Sequence, residues 1–170
     1  MEKKKEKIIR NDLLKQRNIS RSTFSDIAHR LETIIEYNGV EWVNDSKSTD
    51  IEATSFSMEM INKPIIWIVG ADESRRNLIL VKKLVKYKVL KIVCFGAFDT
   101  AIKYSLGDIV ESYAYKQKLS EAVKVAFEWS KKGELVLFSP ACPSIGQYEN
   151  YRERGSHFSE LVMKLTECNL

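Results

Sequence analysis

The sequence predicts an α/β fold: a Rossmann-like, mainly parallel sheet with helices on both faces, preceded by a β-hairpin. From Pro64 onward, short apolar runs alternate with longer segments of helical periodicity, which is typical of repeated strand–helix–strand units. Before Pro64, two β-prone runs flank an Asn-Gly dipeptide of the kind that forms tight hairpin turns. The chain has 170 residues and 44% hydrophobic composition, enough for one domain and a short appendage.

The hairpin is predicted over Glu32–Tyr37 and Val40–Asn44. Asn38-Gly39 lies between the two strands, and both residue types tolerate the positive φ angles of a type I′ turn. A polar loop follows the second strand and leads into an apolar helix. Thr49 or Asp50 is expected to cap that helix, because side chains of these types accept hydrogen bonds from N–H groups of the first turn.

Continuous apolar runs predict strands that helices cover on both faces. These runs are Ile65–Val69 (ending at Gly70), Val89–Phe95 (ending at Gly96) and Leu135–Phe138, with a weaker strand at Ile109–Tyr113. Helical periodicity predicts helices at Asn77–Tyr87, at Ala97–Tyr104, from Ser120 onward and at Phe158–Leu165. We expect the Ser120 hydroxyl to cap its helix and Gly133 to close it in the C′ position.

Excess positive charge is confined to the start of the chain. Residues 1–28 hold eight Lys or Arg against four Asp or Glu, whereas residues 29–170 hold 19 of each. We expect residues 1–28 to be a basic arm or linker, or the remnant of a preceding central domain, and residues 29–170 to be the folded domain. A neutral folded body argues against a nucleic-acid partner, since such domains carry basic residues on their folded surface.

Membrane insertion and export are not expected either. No stretch approaches the roughly 18 apolar residues of a membrane helix, and the basic N-terminus lacks the apolar core of a signal peptide. The expected location is therefore the cytoplasm, without a membrane partner. Cys94, Cys142 and Cys168 lack metal-ligand spacing, so we expect free thiols and no metal site.

Common catalytic loops do not occur in the sequence. Neither G-x-x-x-x-G-K-[ST] nor G-x-G-x-x-G is present, so any nucleotide must be held mainly by something other than this chain. Ser144 is not in a G-x-S-x-G turn and no histidine is placed to activate it, which argues against a serine hydrolase. Cys142 is interpreted as a packed loop thiol rather than a nucleophile for the same reason.

We expect function at the loops that follow predicted strands, because ligands of open α/β sheets bind beyond the carboxyl ends of the strands. These loops are residues 45–50, 70–77, 96–99 and 139–147. In the first loop, Lys47 can pair with a phosphate oxygen, and one of the two carboxylates, Asp45 or Asp50, can accept hydrogen bonds from ribose hydroxyls. The alternative is that this segment only caps the next helix.

The last loop, Ser139–Ser144, is stiffened by two prolines and precedes Arg152 and Arg154. Ser144 and these arginines are candidates for holding a carboxylate through charge-assisted hydrogen bonds. We expect this loop and the Lys47 loop to lie side by side and to bind one anionic ligand between them.

Three motifs, in this order, resemble the C-terminal domain of the Mur ligases over about residues 28–167. They are His29–Glu32, Asn44–Thr49, and Ser139–Ser144 followed by Tyr151–Gly155. Each motif alone is weak, and their order and spacing together carry the resemblance. Within the family, the sequence is most similar to the members that add D-glutamate in peptidoglycan synthesis.

The resemblance implies an ATP-dependent, amide-bond-forming ligase in which this domain delivers the amino acid and closes over a nucleotide held by the central domain. By position, Arg30 and Asp45 match nucleotide contacts, with Asp45 at the ribose. Lys47 matches a catalytic lysine near the transferred phosphate. Positions that hold the D-glutamate carboxylates are matched by Thr49, Ser144 and Tyr151.

The resemblance also implies cofactors and partner domains. ATP and magnesium are expected to be held mainly by the N-terminal and central ligase domains, so we expect the chain to be inactive in isolation. The alternative is a stand-alone, non-catalytic binding module derived from this domain.

Two positions depart from the family pattern. Ser74 stands where the loop Gly70–Arg76 usually has the lysine that binds the incoming amino acid, and Asp50 stands where asparagine is usual. Arg75 or Arg76 can supply the missing charge, although arginine differs from lysine in shape and reach. These departures bear on amino-acid specificity and on the charge near the nucleotide.

Overall fold

A computed structural model describes residues 28–71, 76–97, 100–144 and 146–169 of the chain. The basic arm predicted for residues 1–28 lies outside this range except for Ala28, so it stays a prediction. Within the described ranges the chain forms six strands and five α-helices. None of these helices has both the length and the apolar composition needed to cross a membrane.

The strands form one sheet in the order β1-β2-β6-β3-β4-β5. They are β1 (Glu32–Tyr37), β2 (Val40–Asn44), β3 (Ile65–Gly70), β4 (Val89–Phe95), β5 (Ser112–Lys116) and β6 (Leu135–Phe138). β1 pairs with β2 in an antiparallel manner, and every other neighbouring pair is parallel. The predicted α/β fold with a mainly parallel sheet is confirmed.

The predicted hairpin is also confirmed, but it is part of the sheet. Its turn residues Asn38 (φ 51°) and Gly39 (φ 75°) are left-handed, as expected for a type I′ turn. β2 continues into the parallel sheet by pairing with β6, where Val43 lies opposite Leu137. The hairpin therefore does not precede the sheet as a separate unit, and β1 forms its antiparallel edge.

Helices connect the strands and cover both faces of the sheet. They are α1 (Ile51–Met60), α2 (Ile79–Lys88), α3 (Thr100–Leu106), α4 (Leu119–Trp129) and α5 (Tyr151–Glu167). Asp50 is the N-cap of α1, and its Oδ1 accepts a hydrogen bond from the Ala53 N–H at 2.7 Å. This settles the choice between Thr49 and Asp50.

Alternate side chains of the central strands point to opposite faces and build two cores. In β3, Ile65, Trp67 and Val69 belong to the core under α1, α2 and α3, whereas Ile66 and Ile68 belong to the core under α4 and α5. Every residue of β3 is buried. Burial on both faces explains why this strand is a continuous apolar run rather than an alternating one.

The weaker strand was misplaced by three residues. The prediction was Ile109–Tyr113, but Ile109 ends a short 3-10 turn that begins at Gly107, and β5 follows it. β5 is a half-buried edge strand in which Tyr113 and Tyr115 pack on one core. Its signal is an alternation of tyrosines rather than an aliphatic run.

The predicted cap of α4 was wrong. The helix begins at Leu119, so Ser120 lies inside its first turn. The Glu121 side chain caps the helix instead, because its Oε2 accepts a hydrogen bond from the Lys118 N–H at 3.1 Å. An acidic side chain in the first turn serves the helix end here in place of a hydroxyl.

Gly133 does not close α4, which ends at Trp129. The glycine lies further on, in the turn before β6, with φ 93°. Its N–H donates to the Gly39 carbonyl at 2.8 Å. The left-handed glycine therefore joins this turn to the hairpin turn.

The last helix is longer than predicted. α5 starts at Tyr151, seven residues before Phe158, and Asn150 caps it by accepting hydrogen bonds from the N–H groups of Arg152 and Glu153 at 2.9 and 3.0 Å. Its first turns are polar, so they lack the apolar periodicity that marks a helix in sequence. α2 and α3 start two and three residues after their predicted positions.

Candidate functional site

The four loops singled out in the sequence lie at one edge of the sheet. β2, β6, β3 and β4 are parallel neighbours, so their carboxyl ends are side by side. After β3 the chain forms β4 on one side of β3 and then β5 beyond it. The strand on the other side of β3 is β6, which comes later in the chain. The strand order therefore reverses between β6 and β3, which is where ligands of open sheets bind.

A cavity of about 290 Å³ opens at this reversal point, between the loops after β3, β4 and β6. Its wall is formed by Gly70–Ala71, Phe95–Ala97, Cys142–Ser144, Gly146–Tyr148 and Arg154. Of the predicted ligand residues, Ser144 and Arg154 are in this wall, and Lys47, Thr49 and Tyr151 lie outside it. The sequence located the edge correctly, but the structure divides the predicted residues into two groups.

The second group surrounds Lys47 and Tyr151. The Lys47 ammonium nitrogen lies 6.0 Å from the centre of the Tyr151 ring, and the Arg152 guanidinium lies 5.0 Å from it. The Lys47 N–H donates to the His29 carbonyl at 2.9 Å. Arg30, which follows His29, is half-buried in the same turn. Two predicted amino-acid or phosphate contacts and one predicted nucleotide contact thus share one neighbourhood.

Thr49 stands between these groups and α1. It is half-buried and immediately precedes Asp50, the N-cap of the helix. The N-terminus of a helix favours anions, so a carboxylate near Thr49 would be stabilised there. Its contact with a substrate carboxylate stays a prediction.

Asp45 is enclosed by protein rather than facing a ligand. Its Oδ1 accepts a hydrogen bond from the Leu31 N–H at 3.2 Å, and its Oδ2 accepts one from the Ser139 hydroxyl at 2.8 Å. The residue is completely buried. In this arrangement the carboxylate joins the turn before β1 to the loop after β6, and the predicted ribose contact would require this loop to open.

Burial raises the pKa of the Asp45 carboxyl above its ordinary value of 3.8, against the opposing effect of hydrogen bonds from the surrounding serines and the Leu31 N–H. The native state therefore holds this proton more tightly than the unfolded chain. Stability from this group is complete below the ordinary pKa and is lost as the pH rises through the raised pKa.

Asp45→Asn is therefore expected to abolish this loss. At pH values above the raised pKa the variant should be as stable as the wild type or more stable by about 1 kcal/mol, and the difference should disappear toward about pH 4. Urea unfolding across this pH range measures it. Asp50→Asn is the control, because asparagine also caps helices. A wild-type stability that rises with pH relative to Asp45→Asn would contradict the raised pKa.

Arg154 connects the two loops that carry Lys47 and Ser144. Its Nε donates to Ser46 Oγ at 3.1 Å and its Nη2 to the Ser46 carbonyl at 3.0 Å, while Nη1 donates to the Cys142 carbonyl at 3.0 Å. The side chain is buried, and this burial lowers its pKa. The guanidinium thus holds two backbone carbonyls and a serine, and the residue also lines the cavity, so its expected contact with a ligand carboxylate stays a prediction.

The expected contact between the two loops is confirmed. Besides Arg154, the Ala141 N–H donates to the Ser48 carbonyl at 3.1 Å. Ala141 has φ 54°, a left-handed conformation that costs a residue with a Cβ about 1 kcal/mol. That Lys47 and Ser144 share one ligand stays a prediction.

Several residues of the three motifs have a structural role that the sequence does not show. Asn44 Nδ2 donates to the Gly155 carbonyl at 2.9 Å and lies 3.1 Å from His29 Nδ1. A Cβ on Gly155 would collide with the His29 ring. His29 (φ 64°) and Leu31 (φ 46°) are both left-handed. Only the fold reveals that the His29 turn packs between β2 and α5.

Arg76 is the described arginine of the loop that departs from the family pattern. Its Nη1 donates to the Gly70 carbonyl at 2.8 Å, and the Ala141 carbonyl lies 3.5 Å away. Gly70 is in the cavity wall, so a positive charge is held behind that wall. Ser74 and Arg75 lie outside the described residues.

Within the described ranges, no group of three or more His, Cys, Asp or Glu side chains is arranged to hold a metal ion. Cys94, Cys142 and Cys168 are free thiols, as predicted, and the first two are buried.

Comparison with known proteins shows what this fold and this sequence are similar to. No family model matches the chain. It is 37% identical over 146 residues to the UDP-N-acetylmuramoylalanine–D-glutamate ligase of Christiangramia forsetii, covering 86% of this chain and 33% of the relative. It is 36% identical over 160 residues to the ligase of that name from Buchnera aphidicola, covering 92% and 34%. The chain thus spans about a third of the length of these relatives.

Solved structures agree on the fold. The MurF ligase of Thermotoga maritima in complex with ADP superposes with a TM-score of 0.52 at 17% identity, over 85% of this chain and 32% of that one. MurF from Acinetobacter baumannii gives 0.51 at 14% identity, over 83% and 31%. The resemblance drawn from the three motifs is thus confirmed, and the chain belongs to the Mur ligase family, where it corresponds to the C-terminal domain.

Proposed function

We propose that this chain is the amino-acid-delivering and nucleotide-closing domain of an ATP-dependent UDP-N-acetylmuramoyl-L-alanine:D-glutamate ligase of peptidoglycan synthesis. The observation that carries the proposal is the pairing of two loops at the strand-reversal edge. One loop supplies Ser144 to a cavity, and the other, which Arg154 joins to it, carries Lys47 outside the cavity wall. Two relatives with this name are 37% and 36% identical to the chain over 86% and 92% of its length.

The cavity is the proposed site of D-glutamate. Its volume of about 290 Å³ suits a small amino acid, and its wall offers the Ser144 hydroxyl as a hydrogen-bond donor for a carboxylate. Arg76 adds positive charge behind the wall, in the loop where family members have a lysine. We propose that Arg76 takes over part of that lysine's electrostatic role.

The Lys47 group is the proposed contact with phosphate. ATP, when bound, supplies the phosphoryl group that activates the carboxylate of UDP-N-acetylmuramoyl-L-alanine for attack by the amine of D-glutamate. Lys47 would stabilise negative charge that develops on the transferred phosphate, and Tyr151 would fix the direction of its side chain. Arg30 and Lys47 would contact a nucleotide that another domain holds. In the described residues, neither a glycine-rich loop nor a cluster of three or more metal-ligating side chains accompanies them.

A chimeric enzyme tests this function. The segment of the Christiangramia forsetii ligase that matches this chain is replaced by residues 28–169, and phosphate release is measured with ATP and UDP-N-acetylmuramoyl-L-alanine. We expect release that depends on D-glutamate and not on L-glutamate. Lys47→Met should lower kcat about 100-fold, whereas Ser144→Ala should raise KM for D-glutamate about tenfold with a smaller change in kcat.

Matched variants separate the site from general effects. Lys124→Met and Ser120→Ala replace the same residue types on α4, and both should leave the kinetic constants unchanged. A chimera that is folded by circular dichroism but shows no D-glutamate-dependent release would overturn the proposal and favour the non-catalytic binding module. Equal effects of Lys47→Met and Lys124→Met would remove Lys47 from the site.

A further inference from the structure

The outer side of α2 and α3 combines exposed apolar side chains with lysines. We call it the α2–α3 face, and it consists of Ile79, Leu80, Lys82, Lys83, Lys86, Tyr87, Lys103 and Tyr104. Ile79 is 79% exposed, Tyr87 73% and Tyr104 77%. Single exposed apolar residues are ordinary, but a group of them on one face marks an interaction surface.

Helix geometry places these residues together. Val81 and Val85 are completely buried on the inner side of α2. On its outer side Ile79, Lys83 and Tyr87 follow one another at intervals of four, which aligns them in one row along the helix. A groove of about 430 Å³ between α2 and α3 is lined by Ile79 and Tyr104, among others, so both helices contribute to the same surface.

The described side chains that make up this face carry charge of one sign only. From residue 76 to residue 107 the sequence has seven Lys or Arg and a single acid, Asp99. Lys88 and Lys91 are engaged elsewhere, since Lys88 Nζ donates to the Met58 carbonyl at 2.9 Å and Lys91 Nζ lies 3.2 Å from Glu134 Oε1. The other basic residues of the α2–α3 face point outward.

In the part of the chain that the structure describes, the four exposed lysines of this face form no ion pair. Within the described ranges, no carboxylate forms an ion pair with Lys82, Lys83, Lys86 or Lys103. The Lys86 ammonium lies 6.0 Å from the centre of the Tyr87 ring, which keeps the charge and the aromatic side chain together. The net neutrality of residues 29–170 therefore conceals a positive face.

We infer that the α2–α3 face docks on an anionic phospholipid surface. Lysines on a surface helix are attracted to negatively charged headgroups, and their long stems allow the charge to stay at the headgroup level. Ile79 and Leu80 would enter the boundary between headgroups and acyl chains, where Tyr87 and Tyr104 present an apolar ring and a polar hydroxyl. The chain would lie on the membrane, consistent with its lack of a spanning helix in the described residues.

A lipid surface fits these side chains better than a nucleic acid does. A polyphosphate backbone would use the lysines but would leave Ile79 and Leu80 in water, because aliphatic side chains neither stack on bases nor bind phosphate. The expectation of no membrane partner rested on the missing spanning segment. That observation does not bear on a protein that binds at the membrane surface.

Vesicle sedimentation with the full 170-residue chain tests the inference. We expect binding to vesicles of phosphatidylcholine and phosphatidylglycerol, and little binding to vesicles of phosphatidylcholine alone. Lys83→Glu/Lys86→Glu should weaken binding about tenfold or more. Ile79→Ser/Tyr87→Ser keeps every charge and should weaken it about threefold to tenfold, because it removes the inserted apolar groups.

Three controls make the outcome decisive. Lys124→Glu/Lys164→Glu makes the same change in net charge on α4 and α5, which cover the opposite face of the sheet. Lys3→Glu/Lys5→Glu makes it in the basic arm. Both variants should keep most of the binding to anionic vesicles. In the Tyr87→Trp variant, the added tryptophan fluorescence should be quenched by brominated phosphatidylcholine in anionic vesicles. Equal losses in all charge variants, binding lost only in the arm variant, or binding to a labelled RNA but not to vesicles would each overturn the inference.

Discussion

Arg154→Met is expected to lower the free energy of unfolding by about 3 kcal/mol. The substitution keeps an apolar stem of similar length but removes the donors that now satisfy the Ser46 carbonyl, the Cys142 carbonyl and Ser46 Oγ. Each buried acceptor left without a donor costs about 1–3 kcal/mol. Relief from burying a cation returns part of this cost.

Urea or thermal unfolding measures this change, and the midpoint temperature should fall by roughly 6–12 °C for a chain of this size. Arg152→Met is the matched control, since Arg152 lies on the same turn of α5, is exposed and should change stability by less than about 0.5 kcal/mol. Arg154→Lys keeps the charge but not the planar group, so it should fall between the two. A loss of less than about 1 kcal/mol in Arg154→Met would show that Arg154 does not hold the loops together.

We expect Arg154 to affect ligase activity by positioning the loops that carry Lys47 and Ser144. Arg154 holds the residue before Lys47 and the residue two places before Ser144. Loosening it should therefore separate the two loops and lower the activity of the chimeric ligase even at temperatures where the protein stays folded. This makes Arg154 a positioning residue under the proposed function.

The fold was predictable where one physical signal dominated. Buried parallel strands such as β3 must be apolar on both sides, so a continuous apolar run predicts them. The hairpin turn requires residues that accept positive φ, so Asn38-Gly39 predicts it. β5 and the start of α5 were misplaced because their residues face partly into water. Such segments lack the periodic contrast on which prediction depends.

The sequence predicts which loops meet at one edge of the sheet, but not how their side chains are arranged there. Strand ends and polar loops located the edge correctly, since parallel strands bring their carboxyl ends together. The sequence could not tell that the carboxylate of Asp45 and the guanidinium of Arg154 are turned inward, because the same residue types hold either a ligand or a neighbouring loop. Only partners far away in sequence, such as Leu31 for Asp45 and Ser46 for Arg154, decide between these roles.

Gly70→Ala is expected to lower the free energy of unfolding by about 3 kcal/mol, at the upper end of what overpacking costs. Gly70 ends β3 in the cavity wall, and its N–H donates to the Pro140 carbonyl at 2.9 Å. A Cβ there would overlap the Cys142 sulfur and would lie 3.2 Å from the Pro140 oxygen. The backbone of Gly70 is not left-handed, so the expected cost is steric rather than conformational.

A double-mutant cycle isolates this contact. Cys142→Ala removes the sulfur, so Gly70→Ala in that background should cost only about 1 kcal/mol, and the coupling between the two sites should be about 2 kcal/mol. Gly107→Ala is the control, because its nearest neighbours lie at 3.8 Å, an ordinary contact distance, and the change should be neutral or slightly stabilising. Additive effects of Gly70→Ala and Cys142→Ala would mean that the loops after β3 and β6 do not pack as described. The cavity between them would then lack the rigid wall on which recognition of a small amino acid depends.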